Sequence, residues 1–359
     1  MTAPRILLAG GGSAGHVSPL LAVAGRIRRS EPEAEILVLG TADGLEADLV
    51  PEAGFELVTI PKVPFPRRPD LDALRFPMRF GRTIGAVRRL LRERRIEAVA
   101  GFGGYVCPPA YLAAAAAGIP LIVHEANRRP GLANRLGARR AAAVLTAFDD
   151  TPLPGARRIG MPMRPGIAHL DREARREEAV RSFGLDPARP VLLVTGGSLG
   201  AQRINETVHA SRTALLDAGV QVLHVTGRGK ADLVGEEGYR VLEYVKAMED
   251  AYAAADLAIT RSGAGTVSEV TAVGLPAVFV PLPIGNGEQA LNGQDVVSAG
   301  GALMVLDADM TPSVVTGTVL PLLRDADRLA EMSGRSRGFG ITDAAEQMAA
   351  IVIGAARGA

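Results

Sequence analysis

The chain has 359 residues, 47% of them hydrophobic, enough for two cores of ordinary size. A formal net charge of +1 makes no global case for nucleic acid, and none is expected as a partner. The single cysteine, Cys107, excludes an internal disulfide and fits a reducing cytoplasm.

Met1–Pro4 has no basic n-region, and the apolar run Arg5–Ala9 is too short for a signal core. No apolar run reaches a membrane-spanning length. The longest, Ala110–Val123, is interrupted by Gly118 and Pro120.

Apolar β-like runs alternate with helix-like stretches throughout. The predicted strands of the first half are Arg5–Ala9, Glu35–Leu39, Leu57–Ile60, Ala98–Gly101, Pro120–His124 and Ala143–Thr146. Those of the second half are Pro190–Thr195, Val220–Thr226, Tyr239–Glu243, Leu257–Thr260, Ala277–Val280 and Leu303–Val305. Their hydrophobicity is continuous rather than alternating, as in parallel strands buried on both faces. The helices between them imply right-handed crossovers, hence an α/β chain. Ile159–Gly166, rich in Pro, Gly and Arg, is the expected hinge. The expected division is a first domain over 1–160, a second over 161–342 and a closing helix over 343–359. The first domain is one place for that helix to pack back on.

The chain opens a Rossmann-like unit twice. Arg5–Ala9 runs into Gly10-Gly11-Gly12-Ser13-Ala14-Gly15-His16, and Val191–Thr195 runs into Gly196-Gly197-Ser198-Leu199-Gly200. A helix N-terminus behind glycines offers unpaired N–H groups and a positive dipole end, which suits phosphate. Two such loops predict two phosphate-bearing ligands facing each other, as in a transferase. The first loop satisfies G-x-G-x-x-G, but a dinucleotide site also wants a carboxylate at the end of the second strand. That strand ends Leu39-Gly40-Thr41-Ala42, which argues against NAD. No G-K-[ST] follows either glycine run, which excludes a P-loop.

His16 stands in the first helical turn after the loop, a position that suits a neutral imidazole able to take a proton from a hydroxyl. A helix N-terminal histidine with only local hydrogen bonds fits the same letters. Gly101-Phe102-Gly103-Gly104-Tyr105, before Pro108-Pro109, is a second glycine turn at a strand end, where ligands of open α/β sheets gather. His124, Glu125 and Asn127 end the next strand, with Glu125 the second candidate base. In the second half, Arg261–Thr266 forms a small-residue turn into a helix carrying Glu269, whose two acceptor oxygens suit a ribose diol. Pro281–Asn292 is a polar loop whose Glu288, Gln289 and Asn292 suit sugar hydroxyls.

Pro64–Arg95 differs in kind. Phe65, Leu71, Leu74, Phe76, Met78 and Phe80 are interleaved with Arg67, Arg68, Arg75, Arg79, Arg82, Arg94 and other arginines. Such a mixture suits an anionic bilayer surface, and it equally suits a helix with a solvated basic face.

Taken together, these segments resemble the MurG family of peptidoglycan glycosyltransferases. The resemblance runs through G-G-G-S-A-G-H-V-S-P (10–19), G-F-G-G-Y-V-C-P-P (101–109), H-E-A-N-R-R-P-G-L-A-N (124–134), G-G-S-L-G-A-Q-R-I-N (196–205), R-S-G-A-G-T-V-S-E (261–269) and G-E-Q-A-L-N (287–292). It implies a glycosyltransferase B fold of two Rossmann-like domains and no obligatory metal. It also implies an inverting transfer of GlcNAc from UDP-GlcNAc to the 4-hydroxyl of undecaprenyl-diphosphoryl-MurNAc-pentapeptide (lipid I), giving lipid II.

By matching motif, the implied donor contacts are Ser13, Ala14, Gly15, Asn127, Arg164, Ser198, Val245, Ala264, Gly265, Thr266, Glu269, Glu288 and Gln289. The acceptor diphosphate falls to Gly12, Ser13, Gly15, Gly103, Gly104 and Tyr105, and proton removal to His16 or Glu125. Phe65, Arg67, Arg68, Leu71, Arg75, Phe76, Arg79 and Phe80 would meet the membrane. That places the protein peripherally on the cytoplasmic face of the plasma membrane, with cell-wall and division proteins as further expected partners. Ser13-Ala14 stands where the family usually has Thr-Gly, Ala126 where it has Gln, and Glu288 where it has the first Gln of a pair. Another UDP-sugar enzyme of this fold, such as a 2-epimerase or a natural-product glycosyltransferase, is the alternative, together with a non-catalytic nucleotide-sugar binding module.

Overall fold

The computed structural model describes residues 3–66, 71–197, 200–227, 229, 233–284 and 286–358, the side chains of 71–73 excepted. The chain forms two compact units, Met1–Arg164 with Asp343–Ala359, and Pro165–Thr342.

The first unit is built on β1 (Arg5–Ala9), β2 (Glu35–Gly40), β3 (Glu56–Thr59), β4 (Ala98–Gly101), β5 (Leu121–Glu125), β6 (Ala143–Thr146) and β7 (Ala156–Arg158). They pair in the order β3-β2-β1-β4-β5-β6-β7, all parallel. The second unit carries β8 (Val191–Thr195), β9 (Gln221–Val225), β10 (Tyr239–Leu242), β11 (Leu257–Thr260), β12 (Ala277–Phe279) and β13 (Ala302–Met304). Their order is β10-β9-β8-β11-β12-β13, again all parallel.

Strand order therefore reverses beside β1 in one unit and beside β8 in the other. Loops leaving adjacent strands diverge at such a point and open a crevice at the strand ends. Both glycine loops leave these two strands.

The central strands are buried end to end, as their continuous apolar runs predict: β8 and β9 are buried at every residue. Most predicted strands shift by one residue at an end. β7 escaped prediction because Ala-Arg-Arg has no apolar run. It forms at the sheet edge, where one neighbour supplies its hydrogen bonds and its side chains stay largely exposed.

The C-terminal helix Ala344–Ala356 packs in the first unit. Met348, Ala349, Val352 and Ile353 join Ile6, Leu8, Leu20, Val23 and Ile27 in one core cluster. The expected hinge begins bonded to the first unit: Ile159 and Gly160 both donate to the Thr146 carbonyl, and Ile159, Met161 and Met163 are buried.

Candidate functional site

In the first unit, the loop after β1 and the loop after β4 touch. Gly103 and Gly104 hold φ of +106° and +91°, and a Cβ on Gly104 would strike the Gly11 carbonyl. Only glycine accepts both the left-handed backbone and the contact. A Cβ on Gly103 would come within 2.8 Å of His16 Nε2, so the bare backbone there clears space for that nitrogen.

The hydrogen bonds of His16 fix its chemistry. Nδ1 lies 3.0 Å from the Gly11 carbonyl oxygen and 3.2 Å from Ser13 Oγ. A carbonyl only accepts, so Nδ1 carries the proton and a neutral ring keeps its lone pair on Nε2. Among the described residues Nε2 has no hydrogen-bond partner. It is a half-buried proton acceptor at the loop mouth.

Other predicted contacts prove to be engaged within the protein. Gly12, assigned to the acceptor diphosphate, gives its N–H to Glu46 Oε2 at 2.9 Å. Gly103 gives its N–H to Cys107 Sγ at 3.2 Å, and that thiol donates to the carbonyls of Ala9 and Gly103. Burial pushes the Cys107 thiol up to about 11, so it stays protonated and acts as a structural donor. Of the first-loop residues assigned to the acceptor diphosphate, that leaves Ser13 and Gly15, at the cap and first turn of helix Ala14–Ser30. Helix geometry supplies no acceptor for the N–H groups of Ala14 and Gly15. Tyr105 is 41% exposed, with Lys62 Nζ 5.1 Å from its ring centre.

Glu125, the second candidate base, is engaged within the protein. It is 3% exposed, and its carboxylate accepts from the amides of Asn127 (2.9 Å) and Gly131 (3.0 Å) and from Asn134 Nδ2 (2.9 Å). Asn134 is in turn held by the Tyr111 hydroxyl and donates to the His124 carbonyl. A carboxylate so engaged organises the 126–131 loop. It thereby places half-buried Asn127. His124 is wholly buried and donates from Nε2 to the Gly160 carbonyl at 2.9 Å, while burial lowers its pKa to about 4.

Sequence reasoning missed Glu46. The carboxylate absent from the end of β2 arrives from the following helix, Glu46–Glu52. It is fully buried beneath the first glycine loop and faces backbone rather than a ligand. Tyr252 was missed as well. Its hydroxyl donates to Glu269 Oε2 at 2.7 Å from helix Met248–Ala254 and so orients the assigned ribose carboxylate.

In the second unit, Ala264, Gly265 and Thr266 form the first turn of helix Ala264–Val273, behind Gly263. Gln289 accepts from the Leu282 amide at 3.0 Å, and its own amide nitrogen lies 4.0 Å from where a Cβ on Gly263 would stand. Buried Asn292 donates to the Ser262 carbonyl. The 261–269 and 287–292 segments are thereby joined. Glu288 faces the amide of Asn286 at 3.3 Å, Val245 is 7% exposed, and Arg164 is exposed. Ser198 lies outside the described residues. Among the described residues no group of three or more His, Cys, Asp or Glu side chains could hold a metal ion.

Phe76 and Phe80, on helix Leu71–Glu93, stack on each other, and Phe65 before the helix packs tilted against both, with ring centres 5.0–5.9 Å apart. Phe76 and Phe80 are thus half-buried, while Leu74 (78%) and Met78 (54%) are exposed beside exposed Arg75 and Arg79. Arg94 does not belong to a free basic face, because it bridges Glu35 and Glu56, each within 2.9 Å. Arg67, Arg68 and the Leu71 side chain lie outside the described residues. Among the described residues no helix is long and apolar enough to cross a membrane.

Two parallel Rossmann-like units, each opening with a glycine loop beside its strand-order reversal, define a glycosyltransferase of the B fold class. Residues 6–146 match the family 28 N-terminal domain and residues 191–348 the family 28 C-terminal domain. The chain belongs to glycosyltransferase family 28. It is 54% identical over 354 residues to the UDP-N-acetylglucosamine–N-acetylmuramyl-(pentapeptide) pyrophosphoryl-undecaprenol N-acetylglucosamine transferase of Paenarthrobacter aurescens (strain TC1), covering 97% of this chain and 95% of that one. The enzyme of that name from Leifsonia xyli subsp. xyli (strain CTCB07) is 55% identical over 96% of this chain and 97% of its own length.

Among solved structures, MurG of Acinetobacter baumannii superposes with a TM-score of 0.80 at 28% identity, covering 98% of this chain and 99% of that one. A UDP-GlcNAc 2-epimerase from Neisseria meningitidis bound to UDP-GlcNAc reaches 0.69 at 14% identity over 97% of this chain and 99% of its own, a likeness of fold alone.

Proposed function

We propose that this chain performs the reaction that names its relatives: transfer of GlcNAc from UDP-GlcNAc to the 4-hydroxyl of undecaprenyl-diphosphoryl-MurNAc-pentapeptide, giving lipid II and UDP for peptidoglycan synthesis. Identity of 54–55% over nearly the whole chain supports this reading. The observation that carries the mechanism is the Nε2, unpartnered among the described residues, of a His16 whose tautomer is set by the Gly11 carbonyl.

In this mechanism Nε2 takes the proton from the acceptor's 4-hydroxyl as the oxygen attacks the anomeric carbon from the face opposite UDP. The bond to the diphosphate oxygen breaks and the configuration inverts. The first turn at Ala264–Thr266 faces the departing diphosphate with N–H groups and a positive helix end. Glu269, held by Tyr252, takes the ribose, and Gln289, Glu288 and Asn127 address the sugar. Ser13 and Gly15 address the acceptor diphosphate.

The acceptor's polyprenyl tail stays in the bilayer, so the enzyme works peripherally on the anionic cytoplasmic membrane face, through Leu74, Met78 and their neighbouring arginines. Proteins of cell-wall synthesis and division are the partners this setting supplies.

Incubating the full chain with UDP-GlcNAc and a short-chain lipid I analogue tests the reading. Mass spectrometry should show an acceptor heavier by one N-acetylhexosamine, with UDP released. Release of UDP with no glycosylated acceptor, or conversion of the donor to its 2-epimer, would refute it.

A further inference from the structure

Glu46 is a fully buried carboxylate to which no step of the reaction has been assigned. Its Oε1 accepts from the Thr41 amide (2.9 Å) and hydroxyl (2.7 Å), and its Oε2 from the Gly12 amide (2.9 Å). A Cβ at Gly11, Gly40 or Gly44 would collide with the Glu46 side chain, so three glycines from two segments leave room for one acid. Burial opposes its charge, but the bonds from Gly12, its own amide and Thr41 hold its pKa below the ordinary carboxylate range.

The Gly12 N–H and the Gly11 carbonyl belong to the same peptide group. That group gives its hydrogen to Glu46 on one side and accepts the Nδ1–H of His16 at 3.0 Å on the other. A carboxylate on the N–H draws electron density toward the carbonyl oxygen, which becomes a stronger acceptor, since hydrogen bonds in series polarise one another.

We propose that Glu46 is a positioning residue for His16, acting through the single Gly11–Gly12 peptide to fix the imidazole in its Nδ1–H tautomer with Nε2 free. This rests on the reading of His16 as the base. The arrangement does for His16 what a carboxylate on Nδ1 does in a serine-protease triad, with a peptide group interposed. It also explains why an acid sits beneath a G-x-G-x-x-G loop without meeting a ribose.

The test uses full-length protein with 15N-labelled histidine. NMR of the wild type should show neutral His16 protonated at Nδ1; an Nε2–H tautomer there overturns the proposal without any variant. Glu46→Gln keeps the side-chain shape but sets an N–H donor against a backbone donor. It should shift His16 toward a mixture of tautomers and cut kcat about 10–100-fold, as loss of a histidine's outer hydrogen-bond partner does elsewhere, with UDP affinity by calorimetry unchanged.

Thr41→Val removes another bond to the same carboxylate and spares the Gly12 contact. It should lower the melting temperature while leaving the His16 tautomer and kcat in place. If Glu46→Gln leaves the tautomer unmoved, or if Thr41→Val moves it equally, Glu46 is only a structural support. A shifted tautomer with unchanged kcat overturns instead the reading of His16 as the base.

Discussion

The Tyr252 hydroxyl donates to Glu269 Oε2 at 2.7 Å, joining two helices that follow β10 and β11. The bond holds the Glu269 carboxylate in place on its helix. Glu269→Ala should therefore raise donor KM by about 10–100-fold, the loss of charge-assisted hydrogen bonds of roughly 1.5–3 kcal/mol. Tyr252→Phe should raise it only severalfold and leave kcat near wild type. Initial-rate kinetics over a range of UDP-GlcNAc concentrations separate the two effects. An unchanged KM in folded Glu269→Ala removes the ribose assignment.

His16 and Glu125 separate by what their loss does. His16→Ala should lower kcat about 10²–10⁴-fold, the usual range for a general base. Its melting temperature should hardly change, because the ring is half-buried and bonds only locally. Glu125→Ala strands the amides of Asn127 and Gly131 and the Asn134 side chain. It should cost roughly 2–4 kcal/mol in stability, from buried donors left unpaired. Thermal melts and kcat on both variants decide this; a stable, inactive Glu125→Ala would return the base role to Glu125.

Leu74 and Met78 stand exposed beside Arg75 and Arg79 on helix Leu71–Glu93. The protein should float with anionic vesicles and hardly with neutral ones, and salt should weaken the binding because arginines near an anionic surface contribute about 1 kcal/mol each. Arg75→Glu with Arg79→Glu should abolish flotation, and Leu74→Gln with Met78→Gln should weaken it. Turnover of a water-soluble acceptor analogue should persist in both. Equal flotation of all three proteins would mark this face as an ordinary solvated one.

Two buried histidines should weaken the fold in acid. His124 donates to the Gly160 carbonyl, and His224 lies between the Tyr239 hydroxyl (2.7 Å) and Asn205 Oδ1 (3.1 Å). Burial lowers each pKa to about 4 from the ordinary 6.5. The unfolded chain therefore binds protons between pH 6.5 and 4 that the native protein refuses, so stability is full above 6.5 and falls as pH drops toward 4. The loss should reach up to roughly 3 kcal/mol per histidine over that span. Melting temperature measured from pH 7.5 to 4.5 should decline, and His124→Gln should decline less steeply. A flat profile would contradict the burial argument.

By itself the sequence determined the alternation of strand and helix, the parallel sheets, both glycine loops and the family. These follow from local signals: apolar runs long enough to cross a buried sheet, and glycines where a backbone must turn or touch. It also placed His16 on its loop, because a histidine in the first turn after the glycines is a short-range pattern.

Only the tertiary structure decided which partners the carboxylates meet. Glu125 looks from its neighbours like a free acid at a strand end, yet distant Asn134 and the amides of its own loop occupy it. Glu46 gives no local signal and accepts from the Gly12 amide, thirty-four residues away in the chain. Tyr252 reaches Glu269, the three phenylalanines cover one another, and β7 forms on pairing with β6 alone. Hydrophobic periodicity records how much of an element is buried. The partner of a hydrogen-bonding group depends on which chain segments meet in space, and that is settled only when the sheets assemble.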